Sequence, residues 1–137
     1  MVADNAQGSL VKALVVEDTA VETFILTTML RILHCERTVA KNGKEKSGCD
    51  NLFVEGNKFD IVLCGDVMPI MSGPVAVAKI RAMGENDVKI VGVSIDDNAM
   101  EAFMNAGADV FVPKPMRLDT LRPMIQEVIN KKKNAMV

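Results

Sequence analysis

The sequence predicts a doubly wound α/β domain, in which helices cover both faces of a parallel sheet. Five short apolar segments alternate along the chain with segments whose apolar residues recur at helical spacing. Because strands followed by helices favour parallel pairing with right-handed crossovers, this order predicts a single layered domain. A chain of 137 residues is long enough for one such domain and too short for two.

The strands are predicted at the apolar runs 12–16, 35–39, 60–64, 89–93 and 110–112. The helices are predicted between and after them, at 19–33, 44–55, 73–83, 98–106 and 119–130. We expect a loose leader at 1–10, one domain over 11–133 and a short tail at 134–137.

Residues at the helix ends support these assignments. Thr19 and Glu22 have the spacing of a capping box, and Ser72 is a good N-cap with Pro74 in the first turn. Gly107 is expected to end the fourth helix in a left-handed conformation.

Two helices contain residues that oppose helix formation. The run from Lys46 to Asp50 includes Gly48, which costs about 1 kcal/mol inside a helix, so the second helix is expected to be short, broken or displaced. Pro123 lies near the start of the last helix and is expected to fray or kink its first turn.

Composition excludes several functions. A net charge of −2 and the absence of Trp and Tyr argue against a nucleic-acid surface, and no segment has the length and hydropathy of a membrane span or signal peptide. The three cysteines, Cys35, Cys49 and Cys64, lack metal-site spacing and are typical of reduced thiols. We therefore expect a soluble monomer in the cytoplasm, with the nucleus as a further location.

Residues that suggest a site follow four of the predicted strands, at the edge where ligands bind to doubly wound sheets. They are Glu17 and Asp18, Gly65 and Asp66, Ser94, and Lys114. Taken singly, each has an ordinary explanation: an acidic pair caps a helix, a serine supports a turn, and a lysine is solvated. Their joint occurrence at one edge indicates a site.

The chain resembles the receiver domain of two-component response regulators over about residues 12–130. The motifs that carry the resemblance are Val-Val-Glu17-Asp18, Asp60-Ile-Val-Leu, Met68-Pro69-Ile-Met-Ser-Gly73, Ser94, Ala106-Gly-Ala-Asp109, Phe111 and Lys114-Pro115. A weaker resemblance, in Asn42-Gly-Lys-Glu45 and Ile80-Arg-Ala-Met-Gly84, is to small, type-C-like plant regulators of the cytokinin phosphorelay that lack an output domain.

This resemblance implies a flavodoxin-like receiver fold with strand order 2-1-3-4-5. It also implies phosphoryl transfer from a phosphohistidine to an aspartate, with a histidine kinase or a histidine-containing phosphotransfer protein as partner.

The resemblance also implies roles for particular residues. Mg²⁺ would be bound by Glu17, Asp18 and the carbonyl of Val67. Ser94 and Lys114 would contact the phosphate, Phe111 would repack in response, and the Lys114–Pro115 bond would be cis. By the same resemblance, the first helix near Ala20, Thr23 and Thr27 would dock the partner.

One departure from the family pattern affects the function. The phosphoacceptor aspartate stands four residues before the Pro of the Met-Pro pair, and counting back from Pro69 reaches Gly65. Glycine has no side chain to act as nucleophile or metal ligand. Asp66 is the neighbouring substitute, but side chains alternate between the faces of a strand, so it is expected to point away unless a bulge or register shift intervenes.

Three hypotheses follow. The first is a non-enzymatic pseudo-receiver that binds relay partners and holds Mg²⁺ weakly. The second is a working receiver that is phosphorylated on Asp66 through a shifted register. The third, a flavin or nucleotide enzyme on the same fold, is rejected because two carboxylates follow the first strand where a phosphate cradle needs glycines and free N–H groups.

Overall fold

A computed structural model of the chain describes residues 11–40, 58–66 and 72–135. The strands are β1 (Lys12–Val16), β2 (Glu36–Ala40), β3 (Ile61–Gly65), β4 (Lys89–Ser94) and β5 (Val110–Pro113). The described helices are α1 (Ala20–Ile32), α2 (Gly73–Ala82), α3 (Ala99–Ala106) and α4 (Leu118–Ala135). The leader 1–10, the turn at 42–43 and the predicted helix 44–55 with its 46–50 run lie outside the described residues.

All four strand pairings are parallel, and the sheet order is β2-β1-β3-β4-β5, which confirms the predicted fold class and order. The central strand β3 is buried along its whole length. Parallel strands covered on both faces need this continuous apolar character, because neither face meets water.

Each face of the sheet has its own core, as the alternation of strand side chains requires. On one face Ala13, Val15, Ile61 and Leu63 pack with residues of α1 and α4. On the other face the alternate positions, Leu14, Val16, Val62 and Cys64, pack with α2 and α3. Successive residues that directly follow a strand are therefore expected to point to opposite sides of the sheet.

Phe103 of α3 is the largest of the fully buried side chains in the described part of the chain, and it fits against two glycines. A Cβ on Gly92 of β4 would lie 2.5 Å from the Phe103 ring, and a Cβ on Gly73 would lie equally close to it. Both glycines are therefore required by close packing, and they let α3 approach β4 and the start of α2.

Strand β1 has the predicted bounds, β2 and β3 are shifted by one residue from the predicted ones, and β4 and β5 each extend one residue further than predicted. Strand β2 begins at Glu36 rather than 35, because the Cys35 N–H donates to the Leu30 carbonyl at the end of α1 (2.9 Å) and is lost to the sheet. Strand β3 begins at Ile61, although the Asp60 N–H still donates to the Lys12 carbonyl (2.8 Å) and the Asp60 carboxylate accepts from the Lys12 N–H (2.8 Å).

Helix ends were predicted with mixed success. Ser72 caps α2 as expected, accepting from the Val75 N–H at 3.4 Å, and Gly107 is left-handed with φ 116°. Thr19 is the N-cap of α1 but its side chain makes no capping hydrogen bond, so the predicted capping box is wrong in that detail. Helix α4 continues through the exposed Pro123 to Ala135, beyond the predicted end at 130.

Candidate functional site

The site lies at the carboxyl edge of the sheet, where β1, β3, β4 and β5 end side by side. In the register, Val16 lies opposite Cys64, so Glu17 and Gly65 follow as neighbours one residue further on. Lys114 follows β5 and is anchored by its own N–H, which donates to the Ser94 carbonyl at 2.9 Å. The Lys114–Pro115 peptide is cis, as the resemblance implied.

Glu17 is fully buried, with 1% of its surface exposed. Lys114 Nζ lies 3.2 Å from Glu17 Oε2, and the Thr19 N–H donates to Oε1 at 3.4 Å. Both carboxylate oxygens are therefore occupied. The backbone is fixed as well, because the Glu17 N–H donates to the Ala40 carbonyl (3.1 Å) and the Thr23 hydroxyl donates to the Glu17 carbonyl (3.3 Å). A buried charge with these partners has one defined position.

Gly65 ends β3 directly beside this carboxylate. A Cβ built on Gly65 would lie 2.9 Å from Glu17 Cδ and closer still to Oε2, which is nearer than real Cβ atoms come. The direction of a side chain at residue 65 therefore leads into the space that Glu17 fills. The position is buried, and its φ is not left-handed.

Asp66 points to a different partner. The Ser94 hydroxyl donates to Asp66 Oδ2 at 3.1 Å and also accepts from the Asp96 N–H at 3.0 Å. The opposite directions of residues 65 and 66 agree with strand alternation. Ser94, however, is held with Asp66 rather than beside Gly65, so the structure does not bring together all the residues that the sequence grouped.

Asp18 is the residue of the acidic pair that remains available. Its Oδ1 is buried and has no hydrogen-bond partner within the described part of the chain. Carboxylate oxygens are ligands of hard cations, and a buried one without a partner is suited to that role.

One orphaned buried oxygen is not by itself a magnesium site, however. Glu17 is committed to Lys114 and Thr19, residue 65 contributes no side chain, and the carbonyl of Val67 lies outside the described residues. Within the described ranges no three acidic, histidine or cysteine side chains are placed to hold a metal ion. Mg²⁺ prefers an octahedral shell of oxygens but takes several of them from water, so Asp18 is the side chain that would hold the ion, and binding through so few protein ligands would be weak.

Phe111, the expected switch residue, packs against the core on the face of the sheet that α2 and α3 cover. It is half-buried, sits opposite Gly92 in the sheet, and its ring centroid is 6.0 Å from that of Phe103. The sequence did not single out Phe103. The signal that could have found it is Gly92, because a glycine inside a strand marks a place where another group approaches closely.

This chain belongs to the response regulator receiver domain family, whose pattern it matches over residues 13–126. The sheet order, the acidic residues after β1 and the lysine after β5 had already indicated that class.

Two plant proteins are particularly similar over most of their lengths. The two-component response regulator ORR42 of Oryza sativa subsp. japonica is 53% identical over 126 residues, covering 92% of each chain. The two-component response regulator 24 of Arabidopsis thaliana is 33% identical over 126 residues, covering 90% of this chain and 88% of the relative.

Among solved structures, the fold is shared by the receiver domain of the sensor histidine kinase PA1611 from Pseudomonas aeruginosa. That structure was determined with a magnesium ion coordinated in its active-site cleft. Its TM-score is 0.75 at 24% identity, and the match covers 87% of this chain and 97% of that one.

None of the helices that the structure describes is both long and apolar enough to cross a bilayer.

Proposed function

We propose that this protein is a pseudo-receiver: it binds partners in a two-component phosphorelay without accepting a phosphoryl group, and so acts by binding rather than by catalysis. The observation that carries the proposal is the position of Gly65. It ends the central strand beside Glu17, at the position that the resemblance assigns to the acceptor aspartate, and it has no carboxylate to phosphorylate.

The arrangement of the other site residues supports the same proposal. Lys114 is neutralised by Glu17, and the Ser94 hydroxyl is hydrogen-bonded to Asp66 and Asp96. The groups that the resemblance assigns to the phosphate are therefore already satisfied within the protein. By the same reasoning Mg²⁺ binds weakly, with Asp18 as its main side-chain ligand.

Helix α1 supplies the docking surface in this proposal. Val21 and Phe24 are 66% and 69% exposed and lie three residues apart, so they form one apolar patch with the exposed Ala20. The hydroxyls of Thr23 and Thr27 are engaged with backbone carbonyls, so these two residues contribute less to recognition than the sequence suggested. Contiguous exposed apolar residues of this kind mark interaction sites.

The proposed partner is a histidine-containing phosphotransfer protein or a histidine kinase, since these are the partners of receiver domains in a phosphorelay. The plant relatives and the resemblance to plant regulators support cytokinin signalling as the setting, with the cytoplasm and nucleus as locations. The domain proposed for this activity covers residues 11–133.

A second candidate is a working receiver that uses Asp66. It is favoured by one observation, which is that Asp66 Oδ2 lies 3.1 Å from the hydroxyl of Ser94, the expected phosphate-sensing residue. Against it, Lys114 and Asp66 have no contact among the described interactions, because Lys114 is turned to Glu17.

One experiment separates the two candidates. The protein is incubated with a phosphorylated histidine phosphotransfer protein and Mg²⁺, and its intact mass is followed, with Asp66→Asn as the control. A pseudo-receiver gains no phosphoryl mass, whereas labelling of the native chain that disappears in Asp66→Asn establishes the second candidate.

Binding is measured on the same pair of proteins by calorimetry. Phe24→Ala is expected to weaken binding by at least about tenfold, as loss of an aromatic anchor does. Met104→Ala is the matched control, because Met104 is an exposed apolar residue on α3, across the sheet from α1. Equal effects of the two substitutions would contradict docking on α1.

A further inference from the structure

We infer that Asp66 is a positioning residue whose carboxylate holds the Ser94 hydroxyl and, through it, fixes the loop between β4 and α3 in one conformation. This loop comprises residues 95–98 and leads directly into α3. The role rests on the proposed function in one respect, because a protein without an acceptor aspartate has no phosphoryl group to set the loop. Asp66 supplies the anchor instead, and it is present at all times.

Asp66 connects the end of β3 to two other elements. Its backbone carbonyl accepts from the Gly73 N–H at the start of α2 (2.8 Å), and its Oδ2 accepts from the Ser94 hydroxyl at the end of β4 (3.1 Å). Ser94 is 2% exposed, so water does not compete for its hydroxyl. Because the Asp66 backbone is tied to α2, its carboxylate is a fixed point to which the end of β4 is attached.

The hydrogen bonds continue from Ser94 to the start of α3. Ser94 Oγ accepts from the Asp96 N–H (3.0 Å), and Asp96 Oδ1 accepts from the Asn98 N–H (2.9 Å). The Asp96 carbonyl accepts from the N–H of Ala99, the first residue of α3 (3.0 Å). A hydroxyl that donates to one group and accepts from another has one defined orientation. The position of Asp66 is therefore transmitted through Ser94 to the loop and the helix.

The side chain of Ser94 is the movable link in this series. Among the described contacts, Asp66 is the acceptor of its hydroxyl. The Ser94 backbone is held separately, because it pairs with Pro113 in the sheet and its carbonyl accepts from the Lys114 N–H at 2.9 Å. Loss of the Asp66 carboxylate would therefore leave the strand in place and release the rotation of the hydroxyl. The Asp96 N–H would then lose a partner of fixed direction.

The loop fixed in this way carries Ile95, the most exposed of the large apolar residues in the described part of the chain. Its anchor is a side chain of the protein itself, so the arrangement of Ile95 beside α3 requires neither phosphorylation nor a metal ion. A partner that contacts this part of the surface therefore meets the same conformation at all times.

Amide hydrogen exchange of the full chain, resolved by residue with NMR, tests this role. In Asp66→Ala the amides of Asp96 and Asn98 are expected to exchange about tenfold faster, the change expected when a hydrogen bond to a carboxylate is lost. Asp66→Asn keeps an acceptor oxygen and should accelerate them less. The amide of Val15 in β1 is the internal control, because a general loss of stability would accelerate its exchange as well.

A second comparison establishes whether Asp66 acts through Ser94. In a Ser94→Ala background the hydroxyl is already absent, so Asp66→Ala should cause little further acceleration at Asp96. The inference is overturned by unchanged loop exchange in Asp66→Ala, by equal acceleration at Val15, or by an equal effect of Asp66→Ala with and without Ser94. Should Asp66→Ala not fold, Asp66→Leu keeps the side-chain volume while removing the acceptor, and the same outcomes apply.

Failure of the proposed function is detected separately. Incubation of the native chain with a small acyl phosphate and Mg²⁺ is followed by intact mass, and a gain of phosphoryl mass overturns the proposed function. Exchange measured on the unmodified protein still decides whether Asp66 holds the loop. An unchanged mass together with faster loop exchange in Asp66→Ala supports both.

Discussion

Lys114 Nζ lies 3.2 Å from Glu17 Oε2, joining the ends of β1 and β5 across 97 residues of sequence. The lysine side chain is 14% exposed and the glutamate 1%. Because the two charges lie largely out of water, each depends on the other, and the loss of either leaves a buried charge unpaired. This dependence distinguishes the pair from surface ion pairs, which contribute little to stability.

Lys114→Met is therefore expected to lower the free energy of unfolding by about 3 kcal/mol or more, because it keeps the length of the side chain and removes its charge. Urea denaturation at neutral pH measures the change. The control is Lys114→Met combined with Glu17→Gln, which leaves no charge unpaired and should recover most of the loss. An unchanged stability in Lys114→Met would mean that water, and not Lys114, solvates Glu17.

Ser94→Ala tests the hydrogen bonds that turn Ser94 toward Asp66. It removes one donor and one acceptor from a buried residue and should cost about 1–2 kcal/mol in thermal or urea unfolding. Ser94→Thr keeps the hydroxyl and should cost less. If Thr is as unfavourable as Ala, side-chain volume rather than the hydroxyl determines stability here.

Gly92→Ala tests the close approach of Phe103 to β4. The added Cβ would lie 2.5 Å from the ring, and overpacking of this kind typically costs about 1–3 kcal/mol. In a Phe103→Leu background the same substitution should cost less, since the smaller side chain leaves room. Additive effects of the two substitutions in unfolding measurements would show that the ring does not set the requirement for glycine.

The thiol of Cys35 is expected to make the stability of the fold depend on pH. Burial raises the pKa of the Cys35 thiol from 9.0 to about 11, with the charge of Asp60 adding to the effect and Arg37 opposing it. The unfolded chain therefore loses this proton at lower pH than the folded protein does. Its contribution to stability is fully present below pH 9, and it declines as the pH rises toward about 11.

The Cys35→Ala variant provides the comparison. It should show a shallower loss of stability than the native protein between pH 9 and 11, measured by urea unfolding at a series of pH values. The difference between the two curves isolates the thiol, because all other titrating groups are common to both. Parallel curves would contradict the raised pKa.

Local patterns were sufficient to predict most of the fold. Apolar runs, cap residues such as Ser72 and the left-handed Gly107 placed the five strands and the first three described helices to within one residue at each end, whereas α4 ends five residues later than predicted. The ends that were missed depended on a hydrogen bond in the turn after α1 and on capping geometry. Strand β2 starts late because Cys35 bonds to the end of α1, and Thr19 makes no side-chain cap.

The sequence by itself determined the receiver fold, the edge of the sheet that carries the site, and the glycine at residue 65, because burial patterns and residue identities are local properties of the chain. Only the tertiary structure decided that Glu17 fills the space beside Gly65 and pairs with Lys114, and that Ser94 turns to Asp66. The reason is physical. A buried carboxylate takes its position from the charges and hydrogen-bond donors that other strands bring to it, and no spacing along the chain records that choice.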